Sequence, residues 1–376
     1  MKHPMIMISS GEPSGDMHAA ELAKLLPNAI WFGMGGSKSR QAGISTTIDS
    51  EKTGGVMGFY EALKSINKSR AAIKTLVEEA KIKKPEVLII IDYPEFNIKL
   101  ATAVKKLGTK IIYFIPPKVW AWRAYRAQKL AKLCDGIATI FPFEKKFLEN
   151  YGCSNVKFVG HPFSNNLKKD HAVRENIRKK FNLQENDKLL AVFPGSRKQE
   201  VLKHLKPVYG CIEILNQKLP GLKTIIVKHP SLSQSLFEEN IPANTFIEEI
   251  SPIHAITAAD FGILKSGTCN LEAAFLDLPF ICIYKASGFA AFIVKNFIKL
   301  KEFSPVNIIR KGTVPEVLQE RVNAQDLSEE SLKLLVIDNT LKMLAGFTEV
   351  KEALSSADNV STYENVVKIL KSYFKA

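Results

Sequence analysis

Cysteine is scarce. The chain of 376 residues has five, Cys134, Cys153, Cys211, Cys269 and Cys282, odd in number, widely spaced, with no CxxC pair and no neighbouring His cluster. This argues against a disulfide framework and against a zinc site, and it fits a reducing compartment such as the cytoplasm. Long apolar runs are missing too. Met5 to Ile8 is too short for a signal-peptide core, and no stretch approaches the roughly 20 residues that cross a bilayer, so the expectation is a soluble or peripheral protein. The first glycine-rich turn is not followed by Gly-Lys-Ser/Thr, so it is not a Walker loop. No internal repeat, low-complexity segment, basic tail, RNP signature or helix-turn-helix pattern stands out, which disfavours a nucleic-acid-binding protein. Acidic residues are the minority, 38 against 52 Lys and Arg, giving +14 and a pI near 9.4. Such a surface attracts an anion: nucleic acid, a phosphorylated small molecule or an acidic membrane face.

The chain has the content of a folded protein, with 46% hydrophobic and 24% charged residues, and the length of two ordinary domains. Short apolar runs alternate with helical patterns, the βαβ signature of parallel sheets covered by helices. Strands are expected near 5–10, 29–33, 87–92, 110–115, 136–140 and 155–160. After a polar stretch from Asn165 to Asp187 a second series follows near 188–194, 223–228, 245–248, 260–264 and 280–284. Helices are expected near 17–26, 59–82 and 143–151. The tail from about 325 is helical, with Ser328 as a capping signal and nothing strand-like after Ile283 except Val306 to Ile309. The reading is α/β, with two Rossmann-like domains facing across a cleft and ligands between their carboxyl edges.

Val87 to Asn97, VLIIIDYPEFN, ends a strand buried on both faces with a carboxylate, Asp92, and Pro94 turns the chain there. Asp92 therefore sits at a cleft mouth as a catalytic candidate, or caps the helix that begins near Pro94; from position alone the two readings stand level. The turn Ser9-Ser10-Gly11-Glu12-Pro13-Ser14-Gly15-Asp16 follows the first strand and opens a helix. Its acidic residues suit hydroxyl recognition better than triphosphate binding, or cap the helix. Gly33-Met34-Gly35-Gly36 follows a strand as a dinucleotide fingerprint does, with incomplete spacing, and supports a nicotinamide oxidoreductase only weakly. Gly54 to Tyr60, including Met57, is core packing or a lipid-facing loop. Pro116-Pro117-Lys118-Val119-Trp120-Ala121-Trp122-Arg123 holds two of the three tryptophans, an apolar wall with Lys118, Arg123 and Arg126 supplying charge for a sugar phosphate or acylated anion, or else a structural aromatic corner. Phe141-Pro142-Phe143-Glu144 starts a helix, and His161 in Phe158-Val159-Gly160-His161-Pro162 reads as a hinge histidine.

In the second half, Phe193-Pro194-Gly195-Ser196-Arg197 lies between a strand and a helix. Its small residues free backbone amides for a phosphate, and Arg197 can clamp one. Lys265-Ser266-Gly267-Thr268-Cys269-Asn270-Leu271-Glu272 repeats the logic, with Glu272 one turn into a helix where a carboxylate can bind both hydroxyls of a ribose. Two such loops in one domain point to a nucleotide diphosphate.

The ordered set GEPSGD, DYPEFN, PPKVWAWR, FPFE, FVGHP, PGSR and SGTCNLE, extended by SPVN at 304–307 and PEVLQ at 315–319, resembles the lipid-A-disaccharide synthases. The resemblance implies an inverting glycosyltransferase of the GT-B arrangement. Its acceptor domain would be 1–165, joined by C-terminal helices of about 345–376, and its UDP-sugar donor domain 166–344. The implied reaction moves 2,3-diacylglucosamine from its UDP derivative to the 6-hydroxyl of 2,3-diacylglucosamine 1-phosphate, releasing UDP. The resemblance implies Asp92 as base with Glu12 as a second catalytic candidate, and Ser14, Asp16, Asn97, Trp120, Trp122, Arg123 and Met57 on the substrate. It places Gly195, Ser196, Arg197, Ser266, Gly267, Thr268, Glu272 and Asn307 on UDP. No cofactor is implied, no ligand cluster calls for a metal, and a homodimer is left open. Tyr93, Glu95, Pro117, Lys118, Cys269 and Asn270 depart from the family's usual residues and bear on acceptor selectivity more than on the reaction.

Phe289, Phe292, Ile293, Phe297 and Leu300 recur at helical spacing beside Lys295, Lys299 and Lys301. That pattern either lies in an anionic membrane surface or is buried in an interface. Diacylated sugars reside in the bilayer, so the expected location is the cytoplasmic face of a Gram-negative inner membrane. The nearest rival is another UDP-sugar enzyme of the same architecture, such as an epimerase or a peptidoglycan glycosyltransferase.

Overall fold

Five consecutive apolar residues, Val87–Ile91, form a strand with every side chain buried, as happens when helices cover both faces of a sheet. It belongs to a computed structural model that describes residues 3–53, 59–120, 124–286, 302–358 and 360–374, with the side chains of 52–66 and 165–166 left aside. The readings for Met57, Trp122, Arg123 and the 289–301 pattern fall outside the described residues. The chain divides into two units, residues 1–165 with 354–376, and residues 166–353.

The first unit contains β1 (Met5–Ser10), β2 (Ile30–Gly35), β3 (Ser45–Asp49), β4 (Val87–Ile91), β5 (Lys110–Phe114), β6 (Gly136–Thr139) and β7 (Val156–Phe158). They form one sheet in the order β3-β2-β1-β4-β5-β6-β7, each neighbouring pair parallel. The order reverses between β1 and β4, where Ser10 pairs with Ile91. Loops leaving such a switch point diverge to opposite faces and open the crevice where doubly wound sheets hold ligands. Fully buried Met7, Phe32, Leu88, Ile90, Ile111 and Tyr113 anchor the core, each apolar side chain worth roughly 1.5–3 kcal/mol of burial. The C-terminal helix Thr362–Lys371 belongs to this unit. It opens with a Ser361/Glu364 capping box, and Tyr363 Oη lies 2.8 Å from His18 Nδ1 on the helix Pro13–Leu25.

The second unit contains β8 (Leu189–Phe193), β9 (Lys223–Val227), β10 (Thr245–Glu248), β11 (Phe261–Lys265), β12 (Phe280–Tyr284) and β13 (Glu316–Leu318). Their order is β10-β9-β8-β11-β12-β13, again all parallel, with the reversal between β8 and β11. The α/β, doubly wound reading therefore holds for both units.

Three local expectations change. Strands β3 and β13 were not anticipated; β13 is a three-residue edge strand beside β12, too short for an alternation pattern. Val306 to Ile309 lies in a helix, Pro305–Ile309, which Ser304 caps by accepting the Val306 amide. Ser328 lies inside the helix Ala324–Leu334; the cap is Asn323, whose side chain accepts the Asp326 amide.

Candidate active site

The GEPSGD and DYPEFN loops leave the paired ends of β1 and β4, and so meet at the first unit's switch point. They approach closely: a Cβ on Gly11 would overlap the Tyr93 ring, so only glycine fits there. Asp92 and Tyr93 both adopt the left-handed region, at φ 44° and 45°. That conformation costs roughly 1–2 kcal/mol per non-glycine residue and survives only where surroundings enforce it. Asn97 supplies the enforcement. Buried completely, its Nδ2 donates to the carbonyls of Asp92 at 2.8 Å, Ile91 at 3.1 Å and Ser9 at 3.4 Å, while its Oδ1 accepts Ser9 Oγ at 2.6 Å. Tyr113 Oη adds a second donor to the Asp92 carbonyl at 3.0 Å. Tyr93, not Asp92, occupies the N-cap of the helix Pro94–Lys105, and no side chain caps it, which removes the capping reading of Asp92. Burial raises the Asp92 carboxyl above its ordinary value, with the Tyr93 amide and Lys118 offsetting part of the rise.

The segments that follow β5 and β6 form a partly buried polar and aromatic cluster. Trp120 Nε1 donates to Glu144 Oε1 at 2.9 Å, and the Phe141 amide donates to Oε2 at 3.3 Å. Trp120 meets Phe143 edge-on with centroids 4.9 Å apart, and Phe143 stacks on Phe141. Burial pushes the Glu144 carboxyl up to about 7 against these donors and Lys118. Burial also lowers His161 to about 3 and His18 to about 4, so both rings are neutral at physiological pH. Lys118 thus acts electrostatically on Asp92, Glu144 and His161 together.

In the second unit, PGSR follows β8 and KSGTCNLE follows β11, the two strands flanking that switch point. Glu200 links them, reaching Lys265 Nζ at 3.0 Å, Arg197 at 3.4 Å and the Ser196 amide at 3.1 Å. Gly195 is left-handed at φ 132° and a Cβ there would crowd Glu200, so the loop requires glycine. Burial raises the Glu200 carboxyl, but Lys265 and the Ser196 amide outweigh it and hold it below its ordinary value. His204, buried, sits 2.7 Å from the Pro194 carbonyl through Nδ1 and accepts the Lys285 amide at Nε2, 3.0 Å, tying this loop to the end of β12. The helix Thr268–Phe275 begins at N-cap Gly267, so its first amides lack intrahelical partners. Glu272, one turn in, has a buried Oε2 with no hydrogen-bond partner among the described residues, and burial raises its carboxyl while the Cys269 thiol offsets part of the rise. A buried carboxylate oxygen without a donor matches a hydroxyl-bearing ligand.

The sequence-selected residues divide by what they touch. Glu12, Ser14, Ser196, Arg197 and Thr268 are exposed at the two carboxyl edges. Asp16 is turned away: its carboxylate accepts the amides of Gly36 at 2.6 Å, Lys38 at 2.9 Å and Ser39 at 3.1 Å, together with Ser39 Oγ. That use accounts for Gly35-Gly36 without a dinucleotide, because the loop after β2 wraps this carboxylate. Ser266 Oγ is spent on the Phe303 carbonyl at 2.6 Å. Asn307, buried, donates to Glu316 and the Val314 carbonyl and accepts the Val314 amide. The Glu200–Lys265, His204–Lys285 and Trp120–Glu144 contacts join residues tens of positions apart, beyond any local sequence pattern.

Two doubly wound parallel sheets with small-residue loops at each switch point define a GT-B-type fold. Solved structures agree: the UDP-GlcNAc 2-epimerase of Neisseria meningitidis bound to UDP-GlcNAc covers 99% of this chain and is itself covered in full, at TM-score 0.67 and 13% identity. The S. aureus MnaA–UDP co-structure covers 99% of this chain, with 97% of its own length matched, at TM-score 0.67 and 13% identity. The family model described as lipid-A-disaccharide synthetase matches residues 6–366. Lipid-A-disaccharide synthase 1 of Legionella pneumophila is 36% identical, with 96% of each chain covered, and the Coxiella burnetii lipid-A-disaccharide synthase is 30% identical, with 98% of each covered. The chain belongs to the lipid-A-disaccharide synthase family, and it is a glycosyltransferase of lipid A biosynthesis.

Proposed function

We propose that the enzyme transfers 2,3-diacylglucosamine from its UDP derivative to the 6-hydroxyl of 2,3-diacylglucosamine 1-phosphate, with inversion in a single displacement. The observation that carries the reading is Asp92, a partly buried carboxyl at the first switch point, held in a left-handed backbone by Asn97. Its carboxylate takes the proton of the attacking hydroxyl as the bond to the anomeric carbon forms and the bond to UDP breaks. Glu12 flanks the same edge, and Trp120 with Lys118 forms the adjoining wall. In the second unit, the amides at Gly195 and Thr268 and the Arg197 guanidinium carry the diphosphate's charge, while Glu272 accepts the ribose hydroxyls. The acylated substrates place the enzyme on the cytoplasmic face of the inner membrane; among the described residues no helix is long and apolar enough to cross it. The test is incubation with both substrates and mass analysis. Disaccharide 1-phosphate plus stoichiometric UDP is expected; an epimerised UDP-sugar with no disaccharide would refute the reading.

A further inference from the structure

Between Glu95 and Asp135 the chain carries nine Lys and Arg and no Asp or Glu. The fold collects six of them on one flank of the first unit, where the helices Pro94–Lys105 and Arg126–Leu133 pack side by side. A furrow runs between them. Its end nearest the carboxyl edge is a cavity of about 110 Å³ lined by Pro94, Ile98, Lys99, Val119, Arg126 and Lys129 among others. Its far end, about 290 Å³, is lined by Thr102, Lys105, Lys106, Lys129, Lys132 and Leu133, so Lys129 joins the two.

Pairing separates these cations. Arg126 meets Glu95 at 3.1 Å, and Lys105 meets Asp135 at 3.5 Å. Lys99, Lys106, Lys129 and Lys132 are exposed and have no acidic partner among the described residues. Large apolar side chains stand exposed at the ends of the same two helices, Tyr125 before the second and Leu107 after the first.

We propose that this furrow is the face by which the enzyme docks on an anionic bilayer surface. The proposal rests on the reading that the acceptor is a membrane-embedded acylated sugar. A single phosphate ligand would need converging donors, whereas here the free ammonium groups are spread along two helices of twelve and eight residues, about 18 and 12 Å at helical rise. A surface of many phosphates answers that spacing, and each lysine near such a surface adds attraction that salt screens. Exposed Tyr125 and Leu107 suit the boundary between head groups and acyl chains. The furrow's upper end is built from Pro94 and Pro117, which flank Asp92 and Lys118, so docking there brings the base to the membrane.

The test uses the full-length chain in flotation with phosphatidylcholine vesicles, with and without phosphatidylglycerol, at low and high salt. The variant Lys99→Gln/Lys106→Gln/Lys129→Gln/Lys132→Gln is compared with a control, Lys179→Gln/Lys188→Gln/Lys206→Gln/Lys218→Gln, which removes the same charge from exposed positions in the second unit. Salt-sensitive binding to the anionic vesicles is expected. It should fall about tenfold or more in the furrow variant and much less in the control. Disaccharide synthesis in detergent should be unchanged in both variants. Equal losses in the two variants, or binding that ignores phosphatidylglycerol, would overturn the proposal, as would wild-type protein that retards duplex DNA while ignoring vesicles. Failure of synthesis in detergent by the wild type would instead count against the proposed reaction.

Discussion

The two switch points share one topology and are built in opposite ways. At the β1/β4 reversal the backbone is strained, since Asp92 and Tyr93 are left-handed, and the carboxyl is raised by burial. At the β8/β11 reversal the strain is confined to Gly195, the acid beside it is ion-paired, and Glu200 is held below its ordinary value. A group that must exchange a proton gains from a raised pKa and a fixed carboxylate. A site that holds a diphosphate gains from amides, cations and a loop braced by an ionised acid. On the proposed reaction, the same kind of crevice serves chemistry in one unit and recognition in the other.

The largest expected break in this contrast is Asp92→Asn. It should keep the fold and the affinity for UDP and lower kcat by about 10²–10⁴, the usual contribution of a positioned base; single-turnover assays with purified protein check it. Next is Asn97→Leu, which fills similar volume but leaves Ser9 and the Asp92 carbonyl short of partners. It should cost roughly 2–4 kcal/mol in denaturant melts and lower kcat as well, because Asp92 loses its enforced backbone.

The third prediction concerns pH. His18 and His161 are lowered from 6.5 to about 4 and about 3, so the stability they contribute is present above pH 6.5 and is lost as pH falls below it. Glu144 is raised from 4.5 to about 7, so its contribution is present below pH 4.5 and is lost as pH rises through about 7. The effects oppose each other between pH 4.5 and 6.5, each group on the order of 3 kcal/mol by linkage, so the two histidines together outweigh the one carboxyl. Thermal melts across that window should show Glu144→Gln losing stability on acidification more steeply than the wild type; an equal or shallower slope rejects the opposition. Smallest is Glu200→Gln, expected to raise the KM for the UDP-sugar about fivefold, roughly 1 kcal/mol, with kcat little changed.

What the sequence revealed and what it concealed follow the same division. Loops such as DYPEFN and PGSR were legible because a buried apolar strand followed by Pro or Gly marks a carboxyl edge within a dozen residues. Asp16 and Asn97 were legible as polar residues in the right loops but not as inward-facing ones, since most of their partners are backbone groups that follow or belong to β1, β4 and β2. The Trp120–Glu144 bond and the Glu200–Lys265 pair span 24 and 65 positions and exist only once the sheets are assembled. Strands β3 and β13 pair at sheet edges, where half-exposed side chains leave little hydrophobic signal.

The pH dependence of kcat/KM tests the central claim most directly. An acidic limb reporting Asp92 is predicted to lie above an ordinary aspartate, because burial raises the group. Lys118→Ala, which removes a cation that favours the carboxylate, should move that limb to higher pH, while Glu144→Gln leaves it in place. A limb that ignores Lys118→Ala, or that disappears in Glu144→Gln, would contradict Asp92 as the base.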